Sequence, residues 1–204
     1  MQTMLRGLLL ILLAWSPFAA GADLAVSDIL RILGEPEQLT ADFTQQKQSP
    51  SVAVELDSRG RFVLSREKGF LWMTSEPFED VVGFSKTKRG YLDESGRWIV
   101  LSNEHSARVM EWVREFLTKG SDELSRYFFL SPSGSRSEWR LLVTPKDDGT
   151  AARFLTEVLL TGGEHLQRIQ IVQTDGTITR LFLSNVRENP TLSRIDQDRL
   201  EALQ

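Results

Sequence analysis

Residues 61–74 read RFVLSREKGFLWMT, and their pattern is that of two strands joined by a turn. On each side of Glu67-Lys68-Gly69, bulky apolar side chains recur at every second position, which is the period of a strand with one buried face. Glycine adopts the positive φ that tight turns require, so the three residues between the two segments predict a turn. The stretch therefore predicts an antiparallel hairpin with strands at 61–66 and 70–74.

The same period recurs along most of the chain and predicts a meander of antiparallel strands. The other predicted strands begin at Leu39 and cover residues 52–56, 80–85, 90–93, 97–101, 127–130, 139–144, 154–160, 167–173 and 177–183. Turns are predicted at Asp57-Ser58-Arg59-Gly60, Glu94-Ser95-Gly96 and Asp175-Gly176, again because each of them contains a glycine.

Three segments have helical spacing instead of a period of two, and they cover residues 24–33, 105–117 and 194–203. In the second of these, Met110 and Val113 share an apolar face. No repeat, low-complexity tract or linker divides the chain. The sequence thus predicts a mainly β protein in which residues 23–204 form a single domain, with one twisted antiparallel sheet and a few short helices.

The N-terminus has the order of a secretory signal peptide, with Arg6 followed by an apolar run at 7–15 and then by small residues. The motif Ala20-Gly21-Ala22 predicts cleavage after Ala22, which would remove residues 1–22. A permanent anchor needs about 20 apolar residues to cross a bilayer, and this run is shorter. The chain has no cysteine, which excludes a disulfide framework and the acylated cysteine of a lipoprotein. We expect an exported protein of a bacterial periplasm.

Signals for catalysis are absent from the sequence. The chain has no Gly-rich phosphate loop, no His-Glu-x-x-His and no Gly-x-Ser-x-Gly, and its two histidines, His105 and His165, have no metal-ligand partner at useful spacing. A net charge of −4, with Lys and Arg scattered among acidic residues, argues against a nucleic-acid surface. We therefore expect no catalytic residue, no metal and no cofactor. An acyl-handling enzyme stays open as a third hypothesis, which requires convergent carboxylates or a histidine in a pocket.

The predicted strands place large side chains on one face of the sheet, among them Phe62, Phe70, Trp72 and Trp139. One interpretation is an ordinary core that helices cover completely. The other is a cavity between sheet and helices that receives acyl chains, in which each buried methylene contributes about 0.8 kcal/mol. Periodicity identifies an apolar face without showing what fills it, so both interpretations remain open at this point.

Several short motifs, in their order and spacing, resemble the LolA family of lipoprotein carriers. They are Phe43-Thr44-Gln45, Gly60-Arg61-Phe62, Phe70-Leu71-Trp72, Trp139-Arg140-Leu141-Leu142-Val143-Thr144-Pro145, Asp175-Gly176, and Phe182-Leu183-Ser184-Asn185 with Asn189-Pro190. The resemblance implies an incomplete, strongly curved antiparallel β-barrel whose short helices form a lid over an apolar cavity. It also implies a monomeric periplasmic carrier that takes a lipoprotein or other lipidated cargo from an inner-membrane donor to an outer-membrane acceptor.

The resemblance also suggests roles for individual residues. Arg66 matches the arginine that helps to hold the lid closed, and its guanidinium group offers five donors for helix-terminal carbonyl oxygens. Without the resemblance, Arg66 would equally suit a solvated cation at a strand end. The expected cavity lining is Phe43, Phe62, Leu64, Phe70, Trp72, Met110, Trp139 and Leu141. An error of one residue in register would turn each of these side chains to the other face.

Two stretches depart from the family pattern. Residues 84–91 read FSKTKRGY where the carriers have an Asp-Gly and a Trp-x-Tyr, and residues 194–204 predict a charged helix where the carriers end in a further strand. These departures indicate a divergent member and leave the cargo open between a lipoprotein and another acylated molecule. A second hypothesis is a filled β-sheet module that recruits partner proteins through an exposed edge and holds no lipid.

Overall fold

The computed structural model describes residues 24–34, 36–100, 121–146 and 150–204. Within them, eleven strands form one antiparallel sheet: β1 (Gln38–Gln48), β2 (Leu56–Ser65), β3 (Gly69–Glu76), β4 (Asp80–Phe84), β5 (Arg89–Leu92), β6 (Trp98–Val100), β7 (Phe128–Ser135), β8 (Glu138–Pro145), β9 (Leu155–Gly162), β10 (Leu166–Gln173) and β11 (Ile178–Glu188). Their order across the sheet is β6-β5-β4-β3-β2-β1-β11-β10-β9-β8-β7. The sheet is therefore open, with β6 and β7 at its edges.

Three helices accompany the sheet in the described residues: α1 (Val26–Gly34), α2 (Ser121–Tyr127) and α3 (Arg194–Ala202), with a 3-10 turn at Thr150–Arg153. The helices α1 and α3 confirm the predictions at 24–33 and 194–203, whereas the helix predicted at 105–117 lies outside the described residues. Helix α2 is absent from the sequence prediction, although acidic residues in its first turn are a helix N-terminal signal. None of the described helices is long and apolar enough to cross a membrane.

The hairpin predicted at 61–74 is confirmed. Leu64 of β2 pairs with Phe70 of β3, and Gly69 at the turn has a φ of 135°. The last hairpin is confirmed as well, since Gly176 has a φ of 81° between β10 and β11. Both turns use the backbone freedom of glycine, which is why the sequence alone could locate them.

The turn predicted at Asp57-Ser58-Arg59-Gly60 is wrong, and so is the strand predicted at 52–56, of which only Leu56 lies in β2. The four residues lie inside β2, where Gly60 pairs with Phe43 of β1. A Cβ at Gly60 would overlap the backbone carbonyl oxygen of Met73 and would touch the Phe43 ring. Glycine is present because two neighbours approach its backbone closely, and a local pattern does not distinguish this from a turn.

Apolar side chains of β2 and β3 lie on both faces of the sheet. The inner face is the one that α1 and α2 cover, and its large buried cluster includes Phe62, Ile29 of α1 and Leu124 of α2. The outer face carries a smaller cluster, in which Leu71 packs with Leu200 of α3. The two faces thus share the same strands and are closed by different helices.

The sheet curls around α1. Leu33 near the C-terminal end of α1 accepts a hydrogen bond from Arg66, just after β2, while Asp28 near the other end bonds Arg136 in the turn between β7 and β8. Neighbouring strands are about 4.8 Å apart, so a flat sheet would place β2 about 24 Å from β8. Helix α1 has nine residues and is about 14 Å long. The sheet must bend towards the helix, in agreement with the predicted incomplete, curved barrel.

Candidate functional site

The inner face gathers the side chains that the sequence marks as a cavity lining. Seven of the eight predicted residues lie in its buried cluster and are at most 5% exposed: Phe43, Phe62, Leu64, Phe70, Trp72, Trp139 and Leu141. The eighth, Met110, lies outside the described residues. The alternation along β1, β2, β3 and β8 therefore has the register that the sequence pattern predicts.

Aromatic rings from β1, β2 and β3 form a row on the inner face. The ring centroids of Phe43 and Trp72 are 3.8 Å apart, and those of Phe62 and Trp72 are 6.2 Å apart with planes only 4° from parallel. Phe70 extends the row, with its centroid 5.5 Å from that of Phe62. Such ring pairs contribute about 0.5–1.5 kcal/mol each beyond the area they bury. The row forms a rigid apolar wall.

Trp139 forms the opposite side of the inner face, on β8. Its indole Nε1 donates a hydrogen bond of 2.7 Å to the carbonyl oxygen of Gly163, so the one polar atom of this buried ring is satisfied. A Cβ at Gly162 would lie 2.6 Å from the Trp139 ring. Gly162 therefore allows the ring to lie directly against β9.

Helix α1 fills the space in front of these walls. Its apolar stripe, Ile29, Leu30 and Leu33, is buried against the inner face, and Leu124 of α2 lies in the same cluster. The space that remains beside the C-terminal end of α1 is a narrow cleft of about 20 Å³. This volume is about that of one water molecule. In this structure the helices therefore occupy the inner face in the manner of a closed lid.

Arg66 lies at the C-terminal end of α1, where the last carbonyl oxygens of a helix have no partner within the helix. Its Nε donates to the carbonyl oxygen of Pro36 at 2.8 Å, and its Nη2 donates to that of Leu33 at 3.3 Å. Its backbone N–H bonds the carbonyl oxygen of Glu37 at 3.0 Å. A cation at this end of a helix is also favoured by the helix dipole. The structure thus places Arg66 in contact with α1, and the predicted latch role requires such a contact with a helix.

Two further polar contacts hold α1, and the sequence interpretation assigns neither. The Asn189 Oδ1 accepts hydrogen bonds from the backbone N–H groups of Glu37 and Gln38 at 2.9 and 3.1 Å. Near the start of α1, Arg136 Nη2 lies 3.1 Å from Asp28 Oδ1. Asn189 belongs to a family-like motif, which is the signal that could have identified it, whereas nothing local connects Arg136 to α1.

The cleft beside α1, hereafter the α1 cleft, is apolar except at its rim. Its apolar lining consists of Ile32, Leu33, Pro36, Leu39, Phe62, Leu166, Leu183 and Val186. The rim carries His165 and Glu188, whose Nδ1 and Oε1 atoms are 2.9 Å apart. The cleft is thus a small amphipathic site at the edge of the buried cluster.

A larger groove, of about 510 Å³, lies on the outer face and contains none of the predicted apolar walls except Phe43. Two of its charged residues form ion pairs: Arg59 bonds Glu76 at 2.8 Å, and Arg61 bonds Asp196 at 2.7 Å. We regard the inner face as the functional site because it carries the predicted apolar walls and meets α1 and α2. Among the described residues, no group of three His, Asp or Glu side chains could hold a metal ion.

Fold and site together define a class of protein: an open antiparallel sheet, curled around a helix, with an apolar inner face that short helices cover. The family model for the outer membrane lipoprotein carrier protein LolA matches residues 35–195, and the chain belongs to this family. Two relatives are named outer-membrane lipoprotein carrier protein. The one from Bordetella avium (strain 197N) is 27% identical over 89% of this chain and 85% of its own length, and the one from Methylococcus capsulatus (strain Bath) is 26% identical over 89% and 86%.

Two solved structures align with most of this chain. MucB aligns with a TM-score of 0.50 and 15% identity over 87% of this chain and 62% of its own. A LolA-superfamily protein from Nitrosomonas europaea aligns with a TM-score of 0.49 and 12% identity over 81% and 92%. At 15% identity the likeness to MucB concerns the fold alone.

Proposed function

We propose that this protein is a periplasmic carrier that binds the acyl chains of a lipoprotein or another lipidated molecule against the inner face. It takes the cargo from an inner-membrane donor, shields the chains from water, and releases them to an outer-membrane acceptor. It works as a monomer, without cofactor or catalysis. The observation that carries the proposal is an apolar face, continuous from the aromatic row to Trp139, that is covered by a helix tied down at its ends by polar contacts.

Cargo binding requires α1 to move, because its side chains occupy the space that acyl chains would take. Methylene groups of the acyl chain would take the space of the side chains of Ile29, Leu30 and Leu33. Each buried methylene contributes about 0.8 kcal/mol to binding. Exchanging one apolar occupant for another keeps the net affinity moderate, which is what a carrier needs in order to release its cargo. Arg66 acts in this proposal as the latch between β2 and the closed α1.

A second candidate is the filled interaction module without lipid. The α1 cleft measures only about 20 Å³, and the residues of the inner face are almost fully buried, which this candidate explains directly. The two candidates differ in whether acylated molecules are bound to the protein when it is purified from the periplasm. The carrier co-purifies with acylated molecules, and the filled module does not.

The experiment is mass spectrometry of lipids and lipoproteins that co-purify with the protein from its native periplasm, followed by release of the bound cargo to lipid vesicles. We expect stoichiometric acylated cargo. Arg66→Leu loses charge-assisted hydrogen bonds that stabilise the closed, cargo-free position of α1, so its release of cargo should be slower by about tenfold or more. Arg187→Leu, an exposed arginine on the outer face, is the matched control and should behave as the wild type.

Each arm of this experiment has a decisive negative result. An empty protein in all samples would favour the filled module. Cargo that is present but leaves Arg66→Leu at the wild-type rate would remove the latch role while leaving the carrier function intact.

A further inference from the structure

The α1 cleft leads from solvent into the buried cluster through apolar side chains. Leu39 and Phe62 line the cleft and also belong to the cluster. The Phe62 ring lies nearly parallel to Trp72, so the inner end of the cleft meets the aromatic row. An acyl chain that passes through the cleft would therefore reach the proposed binding surface directly.

The outer end of the cleft is polar because of a β-bulge in β11. Thr40 and Asp42 of β1 pair with Arg187 and Ser184, so two residues of β11 oppose one of β1. The extra residue is Asn185, which has a φ of 50° and whose Nδ2 donates to Asp42 Oδ2 at 2.7 Å. The bulge shifts the alternation by one residue. As a result, Val186 and Glu188 line the cleft instead of their neighbours.

The pair at the rim is accessible to a ligand, since the side chains of His165 and Glu188 are 43% and 40% exposed. A carboxylate only accepts hydrogen bonds, whereas an imidazole ring also donates. Because a carboxylate only accepts, His165 Nδ1–H donates to Glu188 Oε1, and the pair offers the second carboxylate oxygen, oriented by His165, as an acceptor at the end of an apolar cleft. A few polar groups at the edge of an apolar site are the usual means by which a protein orients an amphiphile.

The segment above the cleft is held from two sides by single side chains. Arg66 of the β2–β3 turn bonds the carbonyl oxygen of Pro36, and Asn189 after β11 bonds the backbone N–H of Glu37. The segment held in this way joins the C-terminal end of α1 to β1. Loss of the contacts from Arg66 and Asn189 together would free the end of α1 that closes the cleft.

We propose that the α1 cleft is the portal for an acyl chain and that Glu188, oriented by His165, binds the N–H of an amide group at the head of that chain. The inference rests on the proposed function and specifies its cargo as an amide-linked acyl group. His165 Nδ1–H donates to Glu188 Oε1 and orients the carboxylate, and Glu188 Oε2 accepts from the amide N–H. A free fatty acid presents a carboxylate instead, which the like charge of Glu188 disfavours.

The first test maps the portal in the unaltered protein with two N-palmitoyl peptides, one photoreactive beside the amide and the other at the chain end. We expect the first probe to label residues near 165 and 186–188, and the second to label residues near Leu39 and Phe62. Labels from bound probes that fall only elsewhere, for example on the outer face, would overturn the portal and leave the carrier function standing. Absence of saturable binding by either probe would overturn both.

A second test compares head groups by measuring the affinities of N-palmitoyl peptide and of palmitate. The wild type should bind the amide about tenfold more tightly, a difference of about 1.4 kcal/mol. The preference should disappear in Glu188→Leu. Equal affinities of the wild type for both ligands would contradict the assignment of the head-group site.

A third test closes the cleft by Val186→Trp, which should weaken N-palmitoyl peptide binding about tenfold. The matched control is Arg187→Trp, since Arg187 is the next residue along β11 and lies on the outer face. Far-UV circular dichroism verifies that both variants are folded. Wild-type affinity in a folded Val186→Trp protein would show that the chain passes elsewhere.

Discussion

At the scale of single residues, the absence of a side chain at Gly60 allows the strands of this sheet to approach one another closely. At Gly60, the Met73 carbonyl oxygen and the Phe43 ring occupy the space where any other residue would place its Cβ. Phe43 stacks on Trp72 with its centroid 3.8 Å away, so the aromatic row of the site depends on a glycine that makes no side-chain contact itself. The absence of a Cβ at Gly60 therefore supports both the close packing of the strands and the aromatic row of the site.

We expect Gly60→Ala to lower the free energy of unfolding by about 1–3 kcal/mol, because the added methyl group overpacks the sheet. Gly34→Ala is the control, since its Cβ would lie at an ordinary 3.8 Å from Arg66 Nη2 and its effect should stay within about 0.5 kcal/mol. Urea unfolding measures both. Equal free energies for the two variants would contradict the close approach at Gly60.

Asp196 is a buried acid on the outer face, and its ion pair with Arg61 attaches α3 to β2. Its Oδ1 and Oδ2 atoms accept hydrogen bonds from Arg61 at 2.7 and 3.0 Å, and Ser193 Oγ donates to it at 2.7 Å. Burial raises the pKa of Asp196, but the hydrogen bonds from Arg61 and Ser193, with the charges of Arg61 and Arg199, lower the pKa further than burial raises it. The resulting pKa lies below the ordinary value of 3.8.

A lowered pKa makes this contribution to stability depend on pH. It is fully present above the ordinary pKa of 3.8 and is lost as the pH falls through the lower folded-state pKa. At pH 6 we expect Asp196→Asn to be less stable than the wild type by about 1–3 kcal/mol. The gap should narrow below pH 3.8 in urea unfolding series, whereas Asp198→Asn, an exposed residue of the same helix, should show no such gap. A gap that stays constant from pH 6 to pH 3 would contradict the assignment.

At the scale of elements, α3 replaces the further strand that the family resemblance implied and completes the outer face. Leu200 and Leu203 are almost fully buried against Leu71 and Met73, and Lys68 Nζ pairs with Glu201 at 2.7 Å. Because β2 and β3 carry the aromatic row on their other side, α3 supports the inner face from behind.

Helix α3 should therefore contribute to global stability through its apolar side. Leu200→Ala removes a fully buried side chain and should cost about 2–4 kcal/mol of unfolding free energy. Ile195→Ala on the same helix alters a side chain that is 62% exposed and should change it by less than about 0.5 kcal/mol. Urea unfolding distinguishes the two, and a tolerated Leu200→Ala would indicate that α3 is not needed for the stability of the sheet.

At the scale of the whole molecule, the two buried clusters cannot unfold independently, since they lie on opposite faces of the same strands. Phe62 and Phe70 lie on the inner face, while Val63 and Leu71 alternate with them on the outer face. Unfolding of either cluster breaks the pairing of β2 with β3, on which the other depends.

We therefore expect a single cooperative unfolding transition. Tryptophan fluorescence reports on both clusters, through Trp72 and Trp139 on one side and Trp98 on the other. Its midpoint in urea should coincide with that of far-UV circular dichroism. Separate midpoints would show that one face unfolds before the other and would contradict the shared-strand argument.

Local rules were sufficient for most strands, for the Gly69 and Gly176 turns and for the inward register of the lining residues, because a period of two and turn chemistry depend on neighbours in the chain. The LolA family also followed from short motifs in order. Tertiary structure alone decided that Gly60 lies within a strand and that the bulge at Asn185 turns Glu188 towards His165. The hydrogen bond from Arg66 to Leu33 of α1 is likewise a feature of the tertiary structure. These features depend on how distant segments approach one another, and a periodic pattern specifies which residues share a face but not what that face contacts.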